Sequence, residues 1–76
     1  MTTRAISKPD YYELRVVYAD GTGHRQNFKR HGLAARKATG LAQLNQVIKC
    51  RIHWLKNRMG LPYIEKTEYI KGDKIN

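Results

Sequence analysis

Large apolar and more polar side chains alternate along residues 11–19, and this pattern constrains the fold most strongly. Alternation with a period of two is typical of a strand that buries one face. One set of alternate side chains is Tyr12, Leu14, Val16 and Tyr18, and the other is Tyr11, Glu13, Arg15 and Val17. Asp20-Gly21 follows at once and supplies the positive φ that a tight hairpin turn needs. Residues 24–28 are therefore predicted to return as a second strand, polar enough to lie at a sheet edge.

The segment from residue 33 to about residue 59 is predicted to be one long helix. At 100° per residue, its large apolar side chains fall within one arc, as in a helix buried on one side. These side chains are Leu41, Leu44, Ile48, Ile52, Leu55 and Met59. Gly40 indicates a weak point, where the alternatives are a kink, a break into two helices or close approach to the sheet. Gly60-Leu61-Pro62 is expected to end the helix, because proline cannot continue it.

Residues 63–70 alternate again and are predicted to form a third strand. The resulting order, β-β-α-β, predicts an α+β fold with a small three-stranded antiparallel sheet and one long helix packed across it. Residues 1–10 are expected to form a flexible basic arm, residues 11–70 a single domain and residues 71–76 a polar tail. The core must be thin, since a chain of 76 residues buries only about 60% of the surface it exposes when unfolded.

The charge distribution is the main indication of function. The chain has 15 Lys and Arg against 6 Asp and Glu, a net charge of +9. No acid lies within residues 21–64, which we call the acid-free segment and which carries nine cations. Such an excess attracts phosphate, anionic lipid or an acidic protein surface. The alternative, a purely solubilising role, is usually served by charges of both signs interspersed.

No catalytic constellation is evident, and we predict that the protein is not an enzyme and holds no metal or cofactor. Cys50 and His53 could supply half of a zinc site, but no second pair of ligands stands at a matching spacing. Gly21-Thr22-Gly23 is interpreted as a hairpin turn, because a nucleotide-binding loop runs from a strand into a helix. The lone Cys50 excludes a disulfide scaffold and favours a reducing, cytoplasmic location.

A membrane partner is not expected. The first ten residues lack the apolar stretch of a signal peptide, and no apolar run approaches the ~20 residues needed to cross a bilayer. Peripheral attachment to anionic lipid is disfavoured, because the apolar face of the predicted helix is needed to cover the sheet.

The predicted start of the helix is rich in cations. Lys29 and Arg30 precede Gly32, the expected N-cap. Arg36 and Lys37 follow one turn later. A helix N-terminus carries partial positive charge and free N–H groups, so most helices place acids there. A bound phosphate would relieve the repulsion; the alternative is that these side chains point into water and the cost is tolerated.

Trp54 lies off the predicted apolar arc, with Arg51 and Arg58 about one turn to either side. The most frequent outcome for such a residue is the edge of the core. The alternatives are stacking on a guanidinium group, stacking on a base, or anchoring a partner protein. The five tyrosines cannot all face one small core, so some are expected on the outer sheet face, which leaves a homodimer open.

Several features of the sequence follow one another in the same order as in a known type of domain. These are the Tyr-rich strand up to Tyr18, Asp20-Gly21-Thr22, Phe28 and the helix start Ala34-Ala35-Arg36-Lys37-Ala38. Over about half of the chain, this layout resembles the small sheet-plus-helix DNA-binding domains at the N-terminus of phage-type integrases. The resemblance favours DNA over RNA as the ligand and leaves RNA as the alternative.

We predict a small, basic, non-enzymatic module that binds nucleic acid through phosphate-backbone contacts rather than base contacts. The residues expected at the interface are Arg25, Lys29, Arg30, Arg36, Lys37, Arg51, Arg58 and Trp54. The alternative is an inhibitor or regulator of the kind that phages and mobile elements encode. Its basic face would dock on an acidic or nucleic-acid-binding surface of a larger host protein.

Overall fold

A computed structural model, which describes residues 9–72, contains four strands and one helix in the order β-β-α-β-β. The strands form one antiparallel sheet in the order β2-β1-β3-β4, with the helix packed across it. The elements are β1 (Tyr11–Tyr18), β2 (Gly23–Phe28), α1 (His31–Ala42), β3 (Val47–Arg58) and β4 (Leu61–Lys71). The predicted three-stranded sheet with one long helix is therefore wrong.

The first hairpin lies within one residue of its predicted position. The Asp20 carboxylate accepts hydrogen bonds from the N–H and the hydroxyl of Thr22, at 2.9 and 2.7 Å. Gly21 has a φ of 92°, which a residue without a side chain adopts without strain. The polar β2 lies at the edge of the sheet, as its composition predicted.

The second half of the predicted helix is a central strand, β3. α1 ends at Ala42, and Gly40, the predicted weak point, lies in its last turn. Ile48 and Ile52 stand four residues apart, a spacing that suits one face of a helix and one face of a strand equally. Cys50 and Ile52 are buried and alternate with half-buried Lys49 and Arg51, and the β-branched and aromatic residues of β3 suit a pleated sheet.

Gly60 belongs to a hairpin turn between β3 and β4 and does not end a helix. Arg58 pairs with Leu61, so the turn has two central residues, Met59 and Gly60. Their φ values are 53° and 83°, both in the left-handed region, as in a type I′ turn.

The core lies between α1 and one side of the sheet, which we call the helix face. Small side chains of α1, Ala34 and Ala38, are fully buried against it. The sheet residues of this core are Tyr12, Leu14, Val16, Val47, Cys50 and Ile52. No described helix or strand covers the opposite side of the sheet, which we call the open face.

Residues 1–8 and 73–76 lie outside the described part of the chain, and with them most of the predicted arm and tail. Within that described part, Asp10 is tied to β3. Its N–H donates to the Leu55 carbonyl at 2.8 Å, and its carboxylate accepts from the Asn57 N–H at 2.6 Å. At the other end, the Lys71 ammonium donates to the Leu44 carbonyl at 3.0 Å.

Removing one methyl group from each isoleucine of β3 tests the different burial that the structure gives them. Ile52→Val is expected to lower the free energy of unfolding by about 1 kcal/mol, because Ile52 is fully buried. Ile48→Val is expected to change it little, because Ile48 is 45% exposed. Urea unfolding measures both variants. Equal losses would contradict the structure, in which Ile52 is buried while Ile48, beside the register shift between Val17 and Tyr18, is exposed.

Candidate nucleic-acid interface

Arginines from three adjacent strands stand side by side on the open face. Arg25 of β2 is opposite Arg15 of β1, and Arg15 is opposite Arg51 of β3. We call these three residues the arginine row. Tyr69 of β4 extends the same line to the fourth strand and is 52% exposed. Neighbouring strands lie about 4.8 Å apart, so the row spans about 10 Å across the sheet.

The arginine row borders a shallow depression of about 450 Å³. The residues that line it are Arg15, Val16, Val17, Gly23, His24, Arg25 and Arg51. Gly23 stands opposite Val17 and has no side chain to fill the space. A planar guanidinium group matches the oxygens of a phosphate through paired hydrogen bonds, so the depression has the chemistry of an anion site.

Glu13 contacts two arginines of the row. Its carboxylate accepts a hydrogen bond from Arg15 Nε at 3.1 Å and lies 3.8 Å from Arg25 Nη1. The Glu13 side chain is 15% exposed, whereas those of Arg15 and Arg25 are 41% and 67% exposed. Glu13 thus orients Arg15 and Arg25, and its single negative charge balances no more than one of these two positive charges.

His53 stands beside Glu13 on the open face but adds no charge there at neutral pH. The side chain is 7% exposed, and Nδ1 lies 3.0 Å from the Thr67 hydroxyl. Burial lowers the pKa of His53, and the charge of Arg51 lowers it further, while Glu13 opposes the shift. A histidine with a lowered pKa is neutral at pH 7.

Several other predicted cations lie away from the arginine row. Lys29 and Arg30 occupy the loop before α1, and Arg36 and Lys37 are exposed on α1 itself. Because α1 packs on the helix face, the structure divides the predicted residues between two sides of the sheet. Only Arg25 and Arg51 of the predicted set belong to the arginine row.

Arg58 occupies a third location, at the end of β3 beside the β3–β4 turn. Its guanidinium carbon lies 5.8 Å from the centre of the Tyr63 ring. This separation is within the range of a cation–π contact.

The start of α1 is anchored to β4 through its first residue. Arg30, not Gly32, is the N-cap, no side chain caps the helix and its first turn holds no acid. His31 Nε2 lies 2.7 Å from Glu68 Oε1. This contact joins the helix start to the sheet.

Trp54 packs at the edge of the core, on the helix face. Its indole N–H donates to Glu68 Oε1 at 3.1 Å. The rings of Tyr12, His31 and Trp54 meet edge to face, with centres 5.3 to 5.5 Å apart. The Lys66 ammonium lies 4.5 Å from the centre of the Trp54 ring. These contacts account for Trp54 as a packing residue.

Sequence reasoning missed Arg15. It lies outside the acid-free segment, among the six cations that are balanced by the six acids of the chain. The available indication was the hairpin itself, because closing the Asp20-Gly21 turn brings Arg25 opposite Arg15. Strand register, rather than the run of charge along the chain, identifies this residue.

Comparison with protein families, curated proteins and solved structures finds no match to this chain. Among residues 9–72, no helix is long and apolar enough to cross a membrane. The same residues contain no group of three or more His, Cys, Asp and Glu side chains that could hold a metal ion.

Acidification tests the anchor between α1 and β4. Burial alone would raise the pKa of Glu68, but hydrogen bonds from His31 and Trp54 and the charge of Lys66 outweigh it and hold the pKa below its usual value. The stabilisation is therefore complete above the ordinary glutamate pKa and is lost as pH falls through the lowered one. Glu68→Gln is expected to lower Tm at neutral pH, with the deficit shrinking in acid.

Thermal unfolding of both proteins followed by circular dichroism measures this deficit across the acid range. A deficit that widens on acidification, or none at neutral pH, would contradict the assigned role of Glu68.

Proposed function

We propose that the protein is a non-enzymatic module that binds nucleic acid by seating backbone phosphates on the arginine row. The observation that carries this proposal is the register that sets Arg15, Arg25 and Arg51 side by side around one depression. A guanidinium group has five N–H donors, and Glu13 engages Nε of Arg15 and Nη1 of Arg25. This leaves the other donors of these two arginines for phosphate oxygens, and Arg51 adds its positive charge beside them.

The repulsion within the row supports an anionic ligand. Like charges directly opposite each other on neighbouring strands destabilise a sheet. Here the arginines oppose each other in two consecutive pairs, Arg25 with Arg15 and Arg15 with Arg51. Glu13 offsets part of this cost, and a bound polyanion would offset the rest. Unfavourable local arrangements such as these opposed like charges are expected at functional sites.

The shape of the open face favours a polymer over a small anion. The depression is shallow, so a small ion would remain largely in water and gain little. The row crosses three strands, and Lys49 extends the same face beyond it, opposite Val17. An extended line of cations suits successive phosphates of one backbone.

DNA is the proposed nucleic acid, in keeping with the layout that resembles DNA-binding domains. Phosphate contacts fix the position of a protein on DNA and carry no sequence information. The proposed binding is therefore led by the backbone and tolerant of sequence.

Neutralising the arginine row is expected to lower both the affinity for duplex DNA and the dependence of that affinity on salt concentration. For wild type, the logarithm of the association constant for duplex DNA should fall linearly with the logarithm of salt concentration, by about 0.9 per phosphate neutralised. The variant Arg15→Gln/Arg25→Gln/Arg51→Gln should reduce this slope by about 2 to 3. Fluorescence anisotropy of a labelled random-sequence duplex measures both quantities, with circular dichroism confirming the fold.

The matched control removes three charges from the other side of the sheet. Arg30→Gln/Arg36→Gln/Lys37→Gln should change the slope by less than about 1, because these residues lie at the start of α1 and on α1, off the open face. Equal losses of slope in the two triple variants would show that only the net charge of the protein matters, and would refute the assigned interface. If wild type does not bind at low salt, nucleic acid is the wrong ligand, and an acidic protein surface becomes the hypothesis to test. Tighter binding to RNA of the same sequence would correct the choice of DNA.

A further inference from the structure

The turn between β3 and β4 displays large apolar side chains at one end of the sheet. Met59 is 93% exposed and Leu61 is 71% exposed, and Pro62 is exposed beside them. We call residues 58–62 the hairpin tip. β1 begins opposite Leu55, so beyond that point β3 pairs with β4 alone. The hairpin tip therefore projects past the central strand β1.

Met59 is unfavourable at its position for two reasons. Its φ of 53° lies in the left-handed region, which costs a residue with a side chain about 1–2 kcal/mol. Its side chain gains no burial in return. Asn-Gly is the pair that such a turn prefers, and here it is Met59-Gly60. The turn imposes this φ, but it does not call for a large apolar side chain, and strained residues cluster at functional sites.

The charge around the hairpin tip favours a polyanion over an apolar protein pocket or a second copy. Lys56 and Arg58 flank it on β3, and no acid lies within residues 21–64. The Asp10 carboxylate accepts the Asn57 N–H next to the tip, and Glu65 follows Ile64, which is opposite Leu55. The two cations that flank the tip on β3 outnumber the one carboxylate bonded beside it.

We infer that the hairpin tip is a wedge that enters the minor groove of duplex DNA and places Met59 and Leu61 between two base pairs. Apolar side chains such as Met, Leu and Pro unstack a base step and kink the duplex, while Arg and Lys hold the groove. This inference rests on the proposed function and narrows its ligand to duplex DNA that is bent in the complex.

The spacing of the two sites along β3 fits one duplex. Seven residues separate Arg51 from Arg58, which corresponds to about 23 Å at a rise of about 3.3 Å per residue. This is the length of about seven base-pair steps. The wedge and the arginine row can therefore act on the same DNA molecule within one turn of the helix.

Met59→Asn tests the wedge without harming the turn. It removes the apolar side chain and creates the preferred Asn-Gly pair, so the hairpin is retained. Leu61→Ala is the second variant, and Leu33→Ala on α1, where Leu33 is 51% exposed, is the matched control. Binding to a short duplex is measured by anisotropy, and bending by energy transfer between dyes at its two ends.

Wild type and Leu33→Ala are expected to bind the duplex and increase energy transfer. Met59→Asn and Leu61→Ala should each bind about tenfold more weakly, because the buried apolar side chain is lost, and should bend the duplex less. Circular dichroism should show all four proteins folded.

The remaining outcomes separate the wedge from the proposed function. Binding without bending, bending unchanged in both tip variants, or binding confined to single strands would overturn the wedge and leave nucleic-acid binding intact. A change of oligomeric state in either tip variant on size exclusion would assign the tip to self-association and overturn the wedge. Failure of wild type to bind any nucleic acid would overturn both proposals.

Discussion

The burial of alternate residues of β1 and β3 beneath α1 is the constraint on which the rest of the structure depends. Leu14 and Ile52 are opposite each other and fully buried on the helix face. Because side chains alternate along a strand, Arg15 and Arg51 must then lie on the open face. A register slip of one residue would carry the arginines into the core, so the packing that stabilises the fold also assembles the arginine row.

The first hairpin could be predicted because local signals agree there. Alternation along β1 and a turn at Asp20-Gly21 indicate the same structure, and Thr22 completes it through hydrogen bonds to Asp20. The segment after α1 carries conflicting signals. Its apolar residues fit a helical arc, yet Ile48 is exposed and Ile52 is buried. Only pairing with β1 and β4 distinguishes a strand there, and a single sequence does not contain that pairing.

The candidate site could be predicted in its charge but not in its geometry. The acid-free segment indicates an anionic partner, and Arg25 and Arg51 were identified from it. The same segment runs through a sheet, a helix and a turn, so its cations separate onto different sides of the molecule. Arg15 lies outside it and joins the row through strand pairing. The hairpin tip was missed because the helix prediction placed Met59 in the core rather than in a turn.

The claim that DNA binds on the open face is tested most directly by nuclear magnetic resonance of the labelled protein during titration with duplex DNA. The predicted result is that the Nε–H signals of Arg15, Arg25 and Arg51 shift together and saturate with the same apparent Kd, while those of Arg30 and Arg36 stay in place. Shifts confined to Arg30 and Arg36 would place the ligand on the helix side and contradict the account.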